Sequence, residues 1–310
     1  AGAGIKTHLL DIVPPNLADE QKDDPKARNS FADGGVAKAL KARPAAFYDP
    51  DAARLITTGN LDDHLDRLGD CDLIVEAVIE RMDIKKSLFE RIATVIRDDA
   101  MLASNTSGLS ISDMTNELSD ELQKRFFVIH FFNPVRYMRL LELVPGPKTE
   151  PAVMARAAAF GELLGKGIVY GKDTPNFVAN RIGVYSMMVA FDEMDKMGLT
   201  IEQVDKIAGA PMGRPKSAAF GTADVVGIDT FAHVSATCYD KLPDDPEREV
   251  YKLPDWVQKL VESGRVGRKS KAGFYKKEGK DLLTLNLQTQ EYENIAKPRI
   301  DSLGVAKKTD

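Results

Sequence analysis

What most constrains this chain is the order in which apolar runs and helical patterns alternate along its first half. Asp72–Val78 (DLIVEAV) is an apolar run with the length of a buried strand. Met82–Arg97 follows with helical period, placing Ile84, Leu88, Ile92 and Val95 on one face. Met101–Ala103 reads as a short strand and Phe126–Phe132 as a longer one. Leu140–Val144 reads as another, closed by Pro145-Gly146-Pro147. Ahead of them, residues 5–11 read as a strand ending in an acid, and residues 16–43 as charged, exposed helices. Strands separated by helices fold as an α/β sheet, mostly parallel.

The pattern changes near Asp173-Thr174-Pro175. Thr174 suits a helix N-cap and Pro175 the first helical position. From there to about residue 265 the signals are nearly all helical, broken by Gly/Pro-rich stretches such as residues 210–215. After Tyr275 the chain turns polar, and residues 276–310 show no clear core element. The expected organisation is an α/β domain over 1–172, an all-α domain over 173–277 and a tail or linker over 278–310. A chain of 310 residues is long enough for two domains.

Composition narrows the function classes. Hydrophobic residues make up 43% and charged residues 29%, an ordinary soluble balance. The net charge of −5 and the lack of a long basic run argue against a nucleic-acid partner. Cys71 and Cys238 lie far apart with no CxxC spacing. Neither a disulfide framework nor a metal site is expected, and a reducing cytoplasm is the default. No stretch is apolar for long enough to span a membrane, and the start of the chain shows no charged-then-apolar signal pattern.

Five positions attract attention as chemistry. In Val128-Ile-His130-Phe-Phe-Asn133-Pro134 a histidine ends an apolar strand, where ligand sites of open α/β sheets lie. A neutral imidazole there can accept a proton near neutral pH. A hydrogen-bonded structural histidine is the plain alternative. Twelve residues on, Glu142 interrupts Leu140-Leu-Glu-Leu-Val144. A carboxylate in an apolar strand is costly unless paired. It either faces water or a structural arginine, or it orients His130 and stabilises the imidazolium, as the acid of a catalytic triad does. Ser107 lies in Ala103-Ser-Asn-Thr-Ser107-Gly108, a small polar cluster after a strand that serves as a loop and cap or holds a substrate oxygen. Asn180, early in the first helix of the second domain, is weak by itself. Asp11 ends the first strand, where an acid either forms a turn or accepts hydrogen bonds from the adenosine ribose of a dinucleotide.

Taken in order, Val75-Glu-Ala-Val-Ile-Glu80, Ser104-Asn-Thr-Ser107, His130-Phe-Phe-Asn-Pro134, Lys172-Asp-Thr-Pro175 and Gly273-Phe-Tyr275 resemble the L-3-hydroxyacyl-CoA dehydrogenase family over about residues 5–277. Gly213–Phe220 and Asp224–Asp229 look like the longer bacterial members, which carry an enoyl-CoA hydratase module in the same chain. The tail Lys297–Gly304 looks like their connector to the next domain. The resemblance implies a Rossmann-type sheet followed by a helical domain, NAD as cofactor and an acyl-CoA substrate oxidised in fatty acid β-oxidation. It makes His130 the general base and Glu142 its partner, with Ser107 and Asn180 holding the 3-oxygen and the base. Asp11, Glu80, Lys85, Ser107, Asn133 and Lys269 would contact NAD. Lysines within 38–41 are candidates for the CoA phosphates. A homodimer through the helical domain is also implied.

One departure is large. The family opens with a strand, a G-x-G-x-x-G loop and a helix, whereas only Ala1-Gly2-Ala3-Gly4 precedes the strand ending at Asp11. A buried parallel strand needs hydrogen-bonded neighbours. So either a physical gap is expected within Ala1–Gly4, or a continuous chain whose sheet has an empty or substituted position beside residues 5–11. Two other readings stay open: a same-fold dehydrogenase of free hydroxy acids, and a non-catalytic fragment lacking the dinucleotide loop.

Overall fold

The computed structural model describes residues 1–306. Contacts divide the chain into two compact units, one ending at Phe177 and the other beginning at Val178. In the first, β1 (Thr7–Asp11), α1 (Ser30–Lys41) and β2 (Ile56–Asn60) come first, and β1 pairs with β2 in parallel. Then follow β3 (Leu73–Glu76), α2 (Met82–Ala93), β4 (Met101–Ser104), α3 (Ile111–Thr115), β5 (Phe126–Phe131), β6 (Leu140–Pro145), α4 (Pro151–Leu163) and β7 (Gly167–Tyr170). Strands β3 to β7 form one sheet in sequence order, parallel throughout except for the antiparallel pair β5–β6. Neither β2 (ITTGN) nor β7 (GIVY) was expected, since the first has no apolar run and the second is four residues long.

Side chains alternate across a strand. Ile74, Leu102, Phe126, Val128 and Val144 therefore share one core with Leu88, Phe89 and Ile92 of α2 and with Ile111 and Met114 of α3. Met101, Ala103, Phe127, Ile129, Leu141 and Leu143 pack on the other side, against Val153, Met154 and Ala157 of α4. Burial of both faces is why these strands read as near-continuous apolar runs. By the same parity, Glu76, Ser104, His130 and Glu142 continue the rows of Ile74, Leu102, Val128 and Val144. All four are buried.

Beside residues 5–11 the sheet divides: β1 pairs with β2 alone among the described residues, and β3 begins the five-stranded sheet. Leu9 of β1 and Val75 of β3 are both partly exposed.

The second unit contains α5 (Ala179–Met197), α6 (Ile201–Ile207), α7 (Phe220–Val226), α8 (Ile228–Lys241) and α9 (Asp255–Glu262). Its core gathers Phe191, Phe220, Phe231, Phe274 and Trp256, with Phe191 stacked on Phe220 at 4.6 Å.

Two expectations here need correction. Thr174 and Pro175 do not open a helix; α5 starts at Ala179, and Asn176 and Phe177 have φ of 60° and 49°. A left-handed non-glycine residue costs about 1–3 kcal/mol. Phe177 offsets this by burying its ring, with its centroid 5.8 Å from that of His130. Nor is the chain after Tyr275 a bare tail. β8 (Tyr275–Glu278), β9 (Asp281–Leu285) and β10 (Tyr292–Asn294) form an antiparallel sheet, and Leu285 joins the core of this unit. Burial in this small sheet is confined to the end of β9, at Thr284 and Leu285, so its sequence is mostly polar. Residues 307–310 of the expected tail lie outside the described residues.

Candidate active site

The antiparallel turn of the sheet at β5–β6 sets His130 directly opposite Glu142. Imidazole Nδ1 lies 2.7 Å from Glu142 Oε2, and both side chains are buried, Glu142 completely. Phe132 packs edge-on to the imidazole at 4.5 Å and Phe177 tilts against it. A carboxylate at Nδ1 favours the tautomer with the proton on that nitrogen, which leaves the lone pair on Nε2. This is the geometry of an oriented base.

A second buried polar group lies at the ends of β3 and β4. The Lys85 ammonium, 1% exposed, donates to both oxygens of Glu76 at 2.8 and 2.9 Å and lies 3.2 Å from Glu80 Oε2. Lys85 falls in register with Leu88, Phe89 and Ile92 on the buried face of α2. It therefore sits beneath Glu80 as a counter-ion, not on the surface as a free cation. Ser104 donates to Glu76 at 2.5 Å. Glu80 in turn accepts the Thr106 hydroxyl at 2.5 Å and the Ser107 amide at 2.9 Å. Burial raises the Glu80 pKa, but these two bonds and the Lys85 charge together hold it below the ordinary value.

The Ser107 loop is tied to the His130 strand. Asn105 Oδ1 accepts the Phe131 amide at 3.0 Å, next in chain to His130. Asp173 accepts the amides of Ile111 at 3.0 Å and Ser112 at 3.2 Å, capping α3 behind that loop. A Cβ on Gly108 would meet Asn176 Oδ1 at 2.9 Å, so the loop and the left-handed turn fit closely. Glu76, Asn105, Asp173 and Asn176 received no role from sequence reasoning. Glu76 carried the same signal as Glu142, a carboxylate within an apolar strand. Asn105 lay within the small polar cluster after β4 and Asp173 at the break before the second unit, but nothing local marked the residues they bind.

The remaining candidates are more dispersed. Asp11 is exposed at the C-terminal end of β1, its Oδ1 taken by the Ile12 amide at 2.7 Å. Asn133 is exposed just beyond β5. Lys38 and Lys41 are exposed in the last turn of α1. Asn180 and Lys269 belong to the second unit. Asn180 is half-buried in the first turn of α5, and Lys269 is ion-paired with Asp229 at 2.6 Å. Among the described residues, no helix is long and apolar enough to cross a membrane.

An exposed acid ending β1, with Glu80 and Ser107 after β3 and β4, fits the ribose-binding part of a dinucleotide site at the C-terminal edge of parallel strands. A glycine loop to cradle the pyrophosphate is not among these residues. Comparison with known proteins decides the family. The NAD binding domain of 3-hydroxyacyl-CoA dehydrogenase matches residues 1–174, and the C-terminal domain of the same enzyme matches residues 177–277. The chain belongs to the 3-hydroxyacyl-CoA dehydrogenase family. It is 42% identical to a "Probable 3-hydroxyacyl-CoA dehydrogenase" of Bacillus subtilis over 99% of this chain and 40% of that protein. It is 45% identical to a protein of the same name in Deinococcus radiodurans, over 89% of this chain and 77% of that one. A "Fatty acid oxidation complex subunit alpha" of Psychrobacter is 32% identical over 87% of this chain and 36% of that protein. Among solved structures, FadB2 of M. tuberculosis is similar with a TM-score of 0.71 and 29% identity, covering 89% of this chain and 92% of that one. The chain thus spans about two-fifths of the length of its Bacillus relative.

Proposed function

We propose that this chain oxidises the 3-hydroxyl of an L-3-hydroxyacyl-CoA to the 3-oxoacyl-CoA with NAD, within fatty acid β-oxidation. The observation that carries the reading is the buried His130–Glu142 pair at 2.7 Å. His130 Nε2 takes the proton of the 3-hydroxyl. Glu142 holds the ring in that tautomer and stabilises the imidazolium that forms. NAD, when bound, supplies the acceptor for the hydride from C3. Ser107 and Asn180 hold the 3-oxygen and the base. Asp11 accepts the adenosine ribose hydroxyls and repels a 2′-phosphate, which favours NAD over NADP. Glu80, Ser107, Asn133 and Lys269 are assigned to the cofactor, and Lys85 supports it by holding Glu80. The reading includes a homodimer through the helical unit, a hydratase module in the same or an associated chain, and a cytoplasmic location.

The test uses the full-length protein with acetoacetyl-CoA, following NADH absorbance. His130→Ala should lower kcat by ~10²–10⁴-fold while the protein stays folded. Near-wild-type kcat in that variant rules out His130 as the base. Faster turnover of free 3-oxo acids than of the thioester would move the substrate class away from CoA esters.

A further inference from the structure

The second unit holds a cavity of about 1090 Å³, a little above the ~300–1,000 Å³ usual for small-molecule sites. It is bounded by α6, by residues 216–224, by the turn at 268–271, by the β8–β9 hairpin and by residues 295–298. Six cations line it: Lys206, Lys216, Arg268, Lys271, Lys277 and Lys297. Among the described residues, the ammonium groups of Lys216, Lys271, Lys277 and Lys297 have no hydrogen-bond or ion-pair partner.

Three carboxylates also line the cavity, but each is taken up by the protein itself. Asp205 accepts the amides of Ala219, Phe220 and Gly221 at 2.8–3.1 Å and the Tyr275 hydroxyl at 2.9 Å. Asp224 accepts the amides of Phe274 and Tyr275, both at 2.8 Å. Glu202 accepts the Ala296 amide at 3.0 Å. These neutral donors fix the three carboxylates in place without removing their charge, and six cations against three carboxylates leave the lining positive. The wall also includes Leu282 and Ile295, large apolar side chains that are 46% and 37% exposed. Exposed cations grouped on one cavity wall beside uncovered apolar surface match a ligand that is anionic at one end and apolar at the other.

We propose that this cavity is a second ligand site, built for an amphipathic organic phosphate. The lysines would take the phosphate oxygens by charge-assisted hydrogen bonds, and Leu282, Ile295 and Pro298 would cover the apolar portion. None of these residues has been given a part in the dehydrogenase reaction, so the two readings fail independently.

Decyl phosphate below its micelle threshold is the probe, titrated calorimetrically into the full-length protein. Inorganic phosphate and decanol serve as the charge-only and apolar-only comparisons. One saturable decyl phosphate site per chain is expected. Combined Lys216→Gln, Lys271→Gln and Lys277→Gln should weaken it at least about tenfold, as loss of charge-assisted bonds implies. NADH turnover and the thermal midpoint should stay unchanged in that variant. Leu282→Ser should weaken the same site while leaving the lysines in place. Absence of saturable binding, or equal affinity in the triple variant, overturns the site. Inorganic phosphate binding as tightly as decyl phosphate overturns the amphipathic class.

Discussion

Glu142→Gln isolates the charge of the buried pair from its shape. Glutamine matches glutamate in size and keeps an oxygen able to accept the Nδ1 proton, so the 2.7 Å contact can survive as a neutral hydrogen bond. What disappears is the attraction between the carboxylate and the imidazolium formed as the proton arrives. With charge centres ~4 Å apart and an effective dielectric constant of ~20, that attraction is about 4 kcal/mol. The lower bound is the difference between a charge-assisted and a neutral hydrogen bond, roughly 1–1.5 kcal/mol. The barrier should rise within those limits, so kcat should fall by ~10- to 10³-fold. Because the loss arises only as charge develops, KM for the acyl-CoA should change little. Steady-state NADH kinetics on the full-length variant give both constants, and thermal unfolding verifies that it is folded. A folded Glu142→Gln protein with kcat within about threefold of wild type would refute the reasoning.

Three further outcomes follow from the packing. Lys85→Met should destabilise the protein by about 3–5 kcal/mol, because it strands Glu76 and Glu80 without their buried counter-ion. A thermal midpoint equal to wild type would show that the pair contributes nothing. Gly273→Ala should cost at least about 1–3 kcal/mol, since the added Cβ would meet Asp224 Oδ1 at 2.0 Å and the Gly267 Cα at 2.6 Å; unchanged unfolding in denaturant would contradict that. Burial pushes the Asp224 pKa up to about 6 against its two backbone hydrogen bonds, from an ordinary 3.8. A folded-state pKa above the unfolded one means that the folded state binds the proton more tightly. That contribution, on the order of 3 kcal/mol, is complete below about pH 4 and is lost as pH rises through about 6. Asp224→Asn should remove this segment of the stability–pH curve, and an identical curve would exclude Asp224 as its source.

The sequence by itself determined which segments are buried and which residues are anomalous within them. The short, aromatic- and β-branched-rich run Phe126–Ile129 suits a strand buried on both faces, and Leu88, Phe89 and Ile92 share a face only on a helix, so β5 and α2 follow from local pattern. The same patterns expose His130 and Glu142 as polar residues at buried positions. Lys85 stands out in the same way once it is counted with Leu88, Phe89 and Ile92. Pairing across distance is not encoded in that way. That β6 runs antiparallel to β5, which puts Glu142 opposite His130 and not merely twelve residues beyond it, depends on how the chain turns between them. Ties such as Asn105 to Phe131 or Asp173 to Ile111 join residues 26 and 62 positions apart, and no local signal says which partner each one finds. The left-handed Asn176–Phe177 turn went against a sound helix-start signal. Local propensity there is about 1 kcal/mol, and a ring buried against His130 outweighs it. Residues 275–294 escaped for the converse reason. A small sheet buried only at the end of one strand needs few apolar residues, and only the folded second unit decides that Leu285 lies inside.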